Sequence, residues 1–376
     1  MFKNFFLIHR SGKTLYSKNF YGDKLDSSFI VVFASSVANF CKTLLKEEVR
    51  EVTSVYGKIF IKEIGEFLLL CHTDVQAGSG IVQIIIKDLT ELLEMIFGPE
   101  QYWDAEGRVF DVNGIHDLLS SMFSKNVYDP YVVTSGVNQC FVSSDITDQL
   151  DRLMGSLESQ QCICGNGTMI TVGNSVIHSR MSLHETRKIL QYQTARPMGS
   201  AHVRFTPIFC NGAWHSLYTL RIQTFTLSIL CFMEVPFSLI QSSVNLFESS
   251  LIQSRLEIPT EESPVLLRLF AKRETLCLLY HNIKTGNTLF PTLRPGPELQ
   301  QQEILKEFWT SFAEASIHLK SPGVKEFSIV RDSYRFFAKS EGIHKIYLLL
   351  ANESISTDGN QIAMDVLRSV RQHLPS

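Results

Sequence analysis

Uninterrupted apolar runs of 18 residues or more are missing from this chain of 376 residues. A helix that crosses a bilayer needs about 20 such residues, so no segment is expected to span a membrane. The opening MFKNFFLIHR is apolar over too short a stretch for a secretory segment, and His9 and Arg10 end it. An excess of charge of one sign is also missing. Thirty-five Lys and Arg stand against 38 Asp and Glu, the net charge is −3 and no acidic tail is present, which argues against nucleic acid as a partner. The eight cysteines are too few and too scattered for a disulfide scaffold. They are read as reduced thiols of a cytoplasmic protein.

Catalytic signatures are missing as well. Cys162-Ile163-Cys164 supplies two thiols where a zinc site needs three or four ligands. Gly78-Ser79-Gly80 precedes a helix, and a helix N-terminus can receive a phosphate. Neither it nor Gly165-Asn166-Gly167 extends to a Walker or GxGxxG pattern, so both are read as turns. His184-Glu185 lacks the second histidine of a zincin. His72-Thr73-Asp74 pairs a histidine with an acid, but no G-x-S-x-G elbow completes a triad. Cys41, Cys71, Cys231 and Cys277 sit in apolar runs and are read as small buried hydrophobes. The expectation is a chain with no catalytic residue, no metal and no cofactor, and so not an enzyme in its own right.

What is present is a composition suited to compact folding, 44% hydrophobic and 19% charged, together with a repeat. Leu217–Ile222 and Phe225–Met233 are β-prone runs. Pro236 stops further pairing, and Ile240, Val244, Phe247, Leu251 and Leu256 then recur near helical spacing. The unit is strand, tight turn, strand, helix. It occurs again at Val55–Ile64 and Phe67–His72 before a helix over 81–97, and at Arg335–Lys339 and His344–Leu350 before a helix over 358–373. A second hairpin and helix precede each unit. Phe5–Ile8 and Thr14–Ser17 lead to a helix from Ser27 to about Lys46, with Ile30, Phe33, Ala34, Val37, Cys41, Leu44 and Leu45 facing inward. Thr168–Val172 and Ser175–Ser179 lead to a helix over 182–194 with Leu183 and Leu190 inward. Glu274–Ile283 and Thr288–Leu293 lead to one over 298–319.

Each third thus reads β–β–α–β–β–α. The fold class is α+β, with a small antiparallel sheet flanked by helices in each third. The domains are drawn at 1–160, 161–260 and 261–376. Helices over 111–123 and 145–157 are taken as appendages of the first.

This order resembles the longin domain, and three in one chain resemble the tri-longin group. The stretches that carry the likeness are Leu92-Leu93-Glu94-Met95-Ile96-Phe97-Gly98, Tyr218–Leu239 and Leu276-Cys277-Leu278-Leu279-Tyr280. Within the group, the compact layout is similar to the fuzzy-type planar-cell-polarity effectors. Gly12-Lys13-Thr14-Leu15-Tyr16-Ser17 is more similar to the Mon branch. The resemblance implies three longin-like domains in a non-catalytic subunit. Its partners would be a second, inturned-like tri-longin protein and a Rab-like small GTPase. The pair would form part of a guanine nucleotide exchange factor serving cilium assembly and planar cell polarity at the basal body. Any peripheral membrane contact falls to the partner, since no basic amphipathic helix is evident. The other readings are a Mon-like subunit of an endosomal Rab exchange factor and a vesicle-trafficking adaptor scaffold.

Aromatic residues of the first third are the candidate partner contacts: Tyr16, Phe20, Tyr21, Phe29 and Phe40. Phe20 and Tyr21 fall in a polar stretch that does not obviously bury them, and aromatics are enriched at interface hot spots. The opposite side of the first helix, with Asn39, Lys42 and Thr43, is read as solvated.

Overall fold

The structure, a computed structural model, describes residues 2–20, 27–75, 78–103, 115–126, 129–140, 142–199, 201–254, 256, 275–290, 298–331, 333–351 and 358–373. The chain divides into two compact units. One comprises Met1–Val133 with Gln191–Pro197 and Ile208–Ala213, and the other Thr134–Leu190, Met198–Pro207 and Trp214–Ser376.

The first unit holds strands β1 (Phe2–His9), β2 (Thr14–Asn19), β3 (Glu51–Ser54), β4 (Gly57–Ile64) and β5 (Phe67–Thr73) in the antiparallel order β2-β1-β5-β4-β3. Alternation along a strand sends successive side chains to opposite faces. Phe6, Ile8, Ile61, Leu68 and Leu70 form one layer with Ile30, Val31, Ala34 and Ala38 of helix α1 (Ser27–Phe40). The other parity, Phe5, Leu7, Phe60, Leu69 and Cys71, is equally buried, and helix α2 (Ser79–Phe97) contacts β4 and β5. Central β5 is therefore buried at every position, as a strand covered on both faces must be. Helix α3 (Ile115–Asn126) buries Leu118, Leu119, Met122 and Phe123. The first continuous stretch of this unit stops at Val133, one residue before the end of the short helix α4 (Pro130–Thr134).

The second unit holds two more sheets. After β6 (Val137–Asn138) and helix α5 (Ser144–Glu158) come β7 (Ile163–Val172), β8 (Ser175–Ser179), α6 (Leu183–Ala195), β9 (Val203–Cys210), β10 (Ala213–Ile222), β11 (Phe225–Phe232) and α7 (Phe237–Ser254). The boundary between units passes through α6 and β9. The sheet order is β8-β7-β11-β10-β9. The third sheet follows with β12 (Thr275–Asn282), β13 (Asn287–Leu289), α8 (Glu298–His318), β14 (Glu326–Val330), β15 (Tyr334–Glu341), β16 (His344–Ala351) and α9 (Gly359–His373), in the order β14-β15-β16-β12-β13-β6.

Numbered within its own third, each sheet has the lateral order 2-1-5-4-3, with β6 added beyond the second strand of the third sheet. The repeat is therefore one of topology, and the α+β reading with three small sheets holds. Two details differ from the sequence reading. Each third has one more strand, β3, β9 or β14, always at the sheet edge and always partly exposed.

The boundary at 160 also moves. Leu150, Met154 and Leu157 of α5 pack with Ile163, Ile170, Leu227, Ile229, Val244 and Phe247 in the core of the second sheet. The stripe read as belonging to an appended helix is satisfied there instead. β6 pairs in parallel with β13, Val137 beside Asn287 and Asn138 beside Thr288. The next residues bond to β8: Gln139 bridges Val176, and Cys140 N–H donates to the Val176 carbonyl at 2.7 Å. Residues 134–140 thus form a strap on the edges of both sheets. Gly136 permits it, since a Cβ there would meet the Thr288 hydroxyl and come within 2.5 Å of the Gly286 carbonyl oxygen.

Candidate docking face on the first helix

Helix α1 reads SSFIVVFASSVANF and runs on into a π-helical turn, Cys41–Leu45. Its sheet-facing side is Ile30, Val31, Ala34 and Ala38. The opposite side is apolar too. Phe29 is 69% exposed, Val32 64%, Phe40 55%, Leu44 66% and Leu45 56%. Half-buried Phe33 stacks on Phe29 with ring centroids 6.3 Å apart. Positions 29, 32, 33, 36 and 40 follow the i, i+3, i+4, i+7 rule of a single helical stripe, with exposed Ser36 as the small polar member.

The inward assignment of Leu44 and Leu45 is thereby overturned, and the π turn explains Leu45. In a continuous α-helix Leu45 stands seven residues after Ala38 and faces the sheet with it. The wider π turn holds an extra residue and rotates the side chain outward. Lys46 then ends the turn in the left-handed region at φ 58°. Phe33 and Val37 are half-buried rather than core.

The repeat supplies an internal control. α6 occupies the place of α1 in the second third and is buried at every position from Thr186 to Tyr192. One of its residues, Gln191, donates from Nε2 to Asp88 Oδ2 of α2 at 2.9 Å. Among the described residues of α8, the counterpart in the third, Ile317 is the one large apolar side chain that is exposed. A bare apolar stripe is therefore no requirement of this position in the fold.

Of the five aromatic candidates, Phe29 and Phe40 lie on the stripe. Tyr16 does not; it is buried and stacks on Phe123 at 5.2 Å. Burial pushes its hydroxyl up to about 12, with Ser120 pulling the other way. Phe20 is half-buried and meets Phe5 edge-on at 5.7 Å. Tyr21 lies outside the described residues. Val32, Leu44 and Leu45 are exposed members of the stripe that the choice by aromatic residue type did not include.

Ser28–Leu45 is long and apolar enough, by length and composition alone, to cross a membrane, and 22% of it is buried. Scattered Ser, Asn and Lys residues hid it from a search for uninterrupted runs. Its inner face nonetheless covers the first sheet.

Elsewhere, Leu183 is exposed rather than inward, whereas Leu190 is buried. Cys164 Sγ lies 3.4 Å from His215 Nδ1, and Cys162 Sγ 3.6 Å from Ser243 Oγ. Burial first, then Glu185, pushes the Cys164 thiol up, away from thiolate chemistry. No group of three or more His, Cys, Asp or Glu side chains able to hold a metal occurs among the described residues. Burial lowers the His72 pKa, and His72 Nδ1 meets Asn4 Nδ2 at 3.4 Å. An open cleft of about 550 Å³ is lined by Thr147, Asp148, Asp151, Arg152 and His178. There His178 Nε2 and Arg180 Nη1 both share Asp151 Oδ1, at 3.1 and 2.6 Å. That arrangement is a hydrogen-bonded network of α5 with the end of β8 and the residue after it. No family model matches the chain, and no curated protein matches it.

Proposed function

We propose that this chain is a non-catalytic subunit of a heterodimeric tri-longin complex of the fuzzy–inturned kind. Its first domain binds the first domain of an inturned-like partner, and the pair engages a Rab-like small GTPase as part of a guanine nucleotide exchange factor in cilium assembly and planar cell polarity. The supporting observation is the outer stripe of α1, apolar and bare where the equivalent helices are covered or polar. Covering five Phe, Val and Leu side chains, each somewhat over half exposed, gains on the order of 5–9 kcal/mol. Association costs about 4–15 kcal/mol. The stripe alone therefore sustains weak docking, and a stable pair needs further surface around it. Exchange in this reading asks for no nucleophile from the chain. Switch loops of a GTPase are ordered by phosphate and magnesium contacts, and a partner that remodels them releases the nucleotide.

The test is capture of partners by the tagged full-length chain from ciliated cells, with F29D/F40D alongside. An inturned-like protein and a Rab-like GTPase held by the parent and lost by F29D/F40D support the reading; reconstituted nucleotide exchange follows. The Gly12–Ser17 hairpin favours a second reading, the Mon-like endosomal subunit, and recovery of a Ccz-type partner with a late-endosomal Rab would select it. Coat subunits with no longin-bearing partner would make the chain a trafficking adaptor and end both.

A further inference from the structure

We infer that Glu63 is a positioning residue of the docking face and acts through Lys42 on the π turn. The inference rests on the docking reading and adds how the face is held. Glu63 lies near the end of β4 with its side chain 8% exposed. Its Oε2 receives Arg10 from the β1–β2 turn and, at 3.2 Å, Lys42 Nζ from the second residue of the π turn. Arg10 also reaches Glu66 Oε1 at 3.8 Å.

Among the described residues the turn has little else to keep it. None of its five residues is buried. Both Lys46 and Glu47 direct their N–H groups at one carbonyl, that of Cys41. Positive φ at a non-glycine residue is sparsely populated and persists only where its surroundings hold it. Burial cannot do so for a turn that carries two bare leucines. Among the described residues the nearly buried carboxylate is the anchor that remains, and charge pairs weaken less when one member is shielded from water. Without it, the end of the helix is free to return to α spacing. Leu45 then swings to the side of Ala38 and the stripe loses its C-terminal end.

Hydrogen exchange on the purified full chain tests this. K42M and E63Q should accelerate exchange at residues 44–47 at least ten-fold and leave residues 30–38 unchanged, while K42R should behave as the parent. K42M should also lower recovery of the partner captured by the parent at least ten-fold, and K42R should keep it. Unchanged exchange at 44–47 overturns the inference. So does equal acceleration along the whole helix, which would make the trio a plain anchor of α1. The expected exchange pattern with no longin-bearing partner recovered would overturn the docking reading, and with it this role for Glu63.

Discussion

Acid should loosen the third sheet through His281, and replacing that residue should abolish the effect. His281 lies on β12 beside Lys345 of β16, its partner across the ladder. Its Nδ1 is 2.8 Å from Thr288 Oγ1 on β13, and that hydroxyl lies 3.2 Å from Thr134 Oγ1 at the start of the strap. Burial first, then the Lys345 charge, lowers the imidazole pKa from 6.5 to about 4. The folded state thus binds the proton less readily than the unfolded chain. The stability from a neutral His281 is complete above pH 6.5, begins to fall below it and is gone once the pH passes about 4. A depression of that size corresponds to about 3 kcal/mol in all, of which about 2 kcal/mol is lost by pH 5. Glutamine at 281 keeps an oxygen or amide for Thr288 and cannot take up the proton. Exchange protection of β12 and β13 amides at pH 7 and pH 5 measures the change locally. The parent should lose on the order of ten- to thirty-fold more protection than H281Q. Equal losses in the two proteins would refute the assignment of the acid sensitivity to His281.

F40D replaces an exposed side chain and F29D also removes the stack on half-buried Phe33, so unfolding free energies should fall by no more than about 1.5 kcal/mol, while partner recovery falls. L150A or M154A should cost about 2–5 kcal/mol, since both side chains are fully buried. Exchange should rise in β7 and β11 and not in β1 or β5; the opposite pattern would return α5 to the first sheet. G136A should raise exchange in β6 and β13 without affecting β14 to β16, because the Cβ collides with the β13 edge. Alkylation of the folded chain at pH 8 should spare Cys71, Cys231 and Cys277, whose thiols burial pushes up, to about 12 for Cys231. Labelling of these three at the rate of half-buried Cys41 would count against that packing.

The layers of the fold were legible because they rest on periodicity. Strands such as Phe67–Thr73 and helices such as Ser79–Phe97 carry enough apolar side chains to declare themselves. The edges were not. β14 alternates exposed and half-exposed residues, and its place depends on β15 beside it, which no local pattern encodes. α5 was found with the correct period but given to the wrong sheet, since a stripe such as Leu150, Met154 and Leu157 says that a helix is buried without saying against what. On the first helix the difficulty was reversed. α1 is apolar on both sides, so the sequence offered no contrast between buried and exposed faces, and the π turn reset the last turn beyond the reach of 3.6-residue counting. Residue type picked out Phe29 and Phe40, which are exposed on α1, and also Tyr16, which packs in the core.

The strap over 134–140 also has a bearing on synthesis. Its partner on β13 lies about 150 residues further along, which at 5–20 residues per second reaches the ribosome exit about 10–30 s later. The β8 side of the strap can zip early, since Val176 follows Gln139 closely in the chain. The Val137 N–H, which ends on the Gly286 carbonyl, must wait through that interval as an open strand edge. A nascent chain of this protein therefore carries a half-paired ribbon until its third sheet emerges, and the last sheet made is the one that closes it.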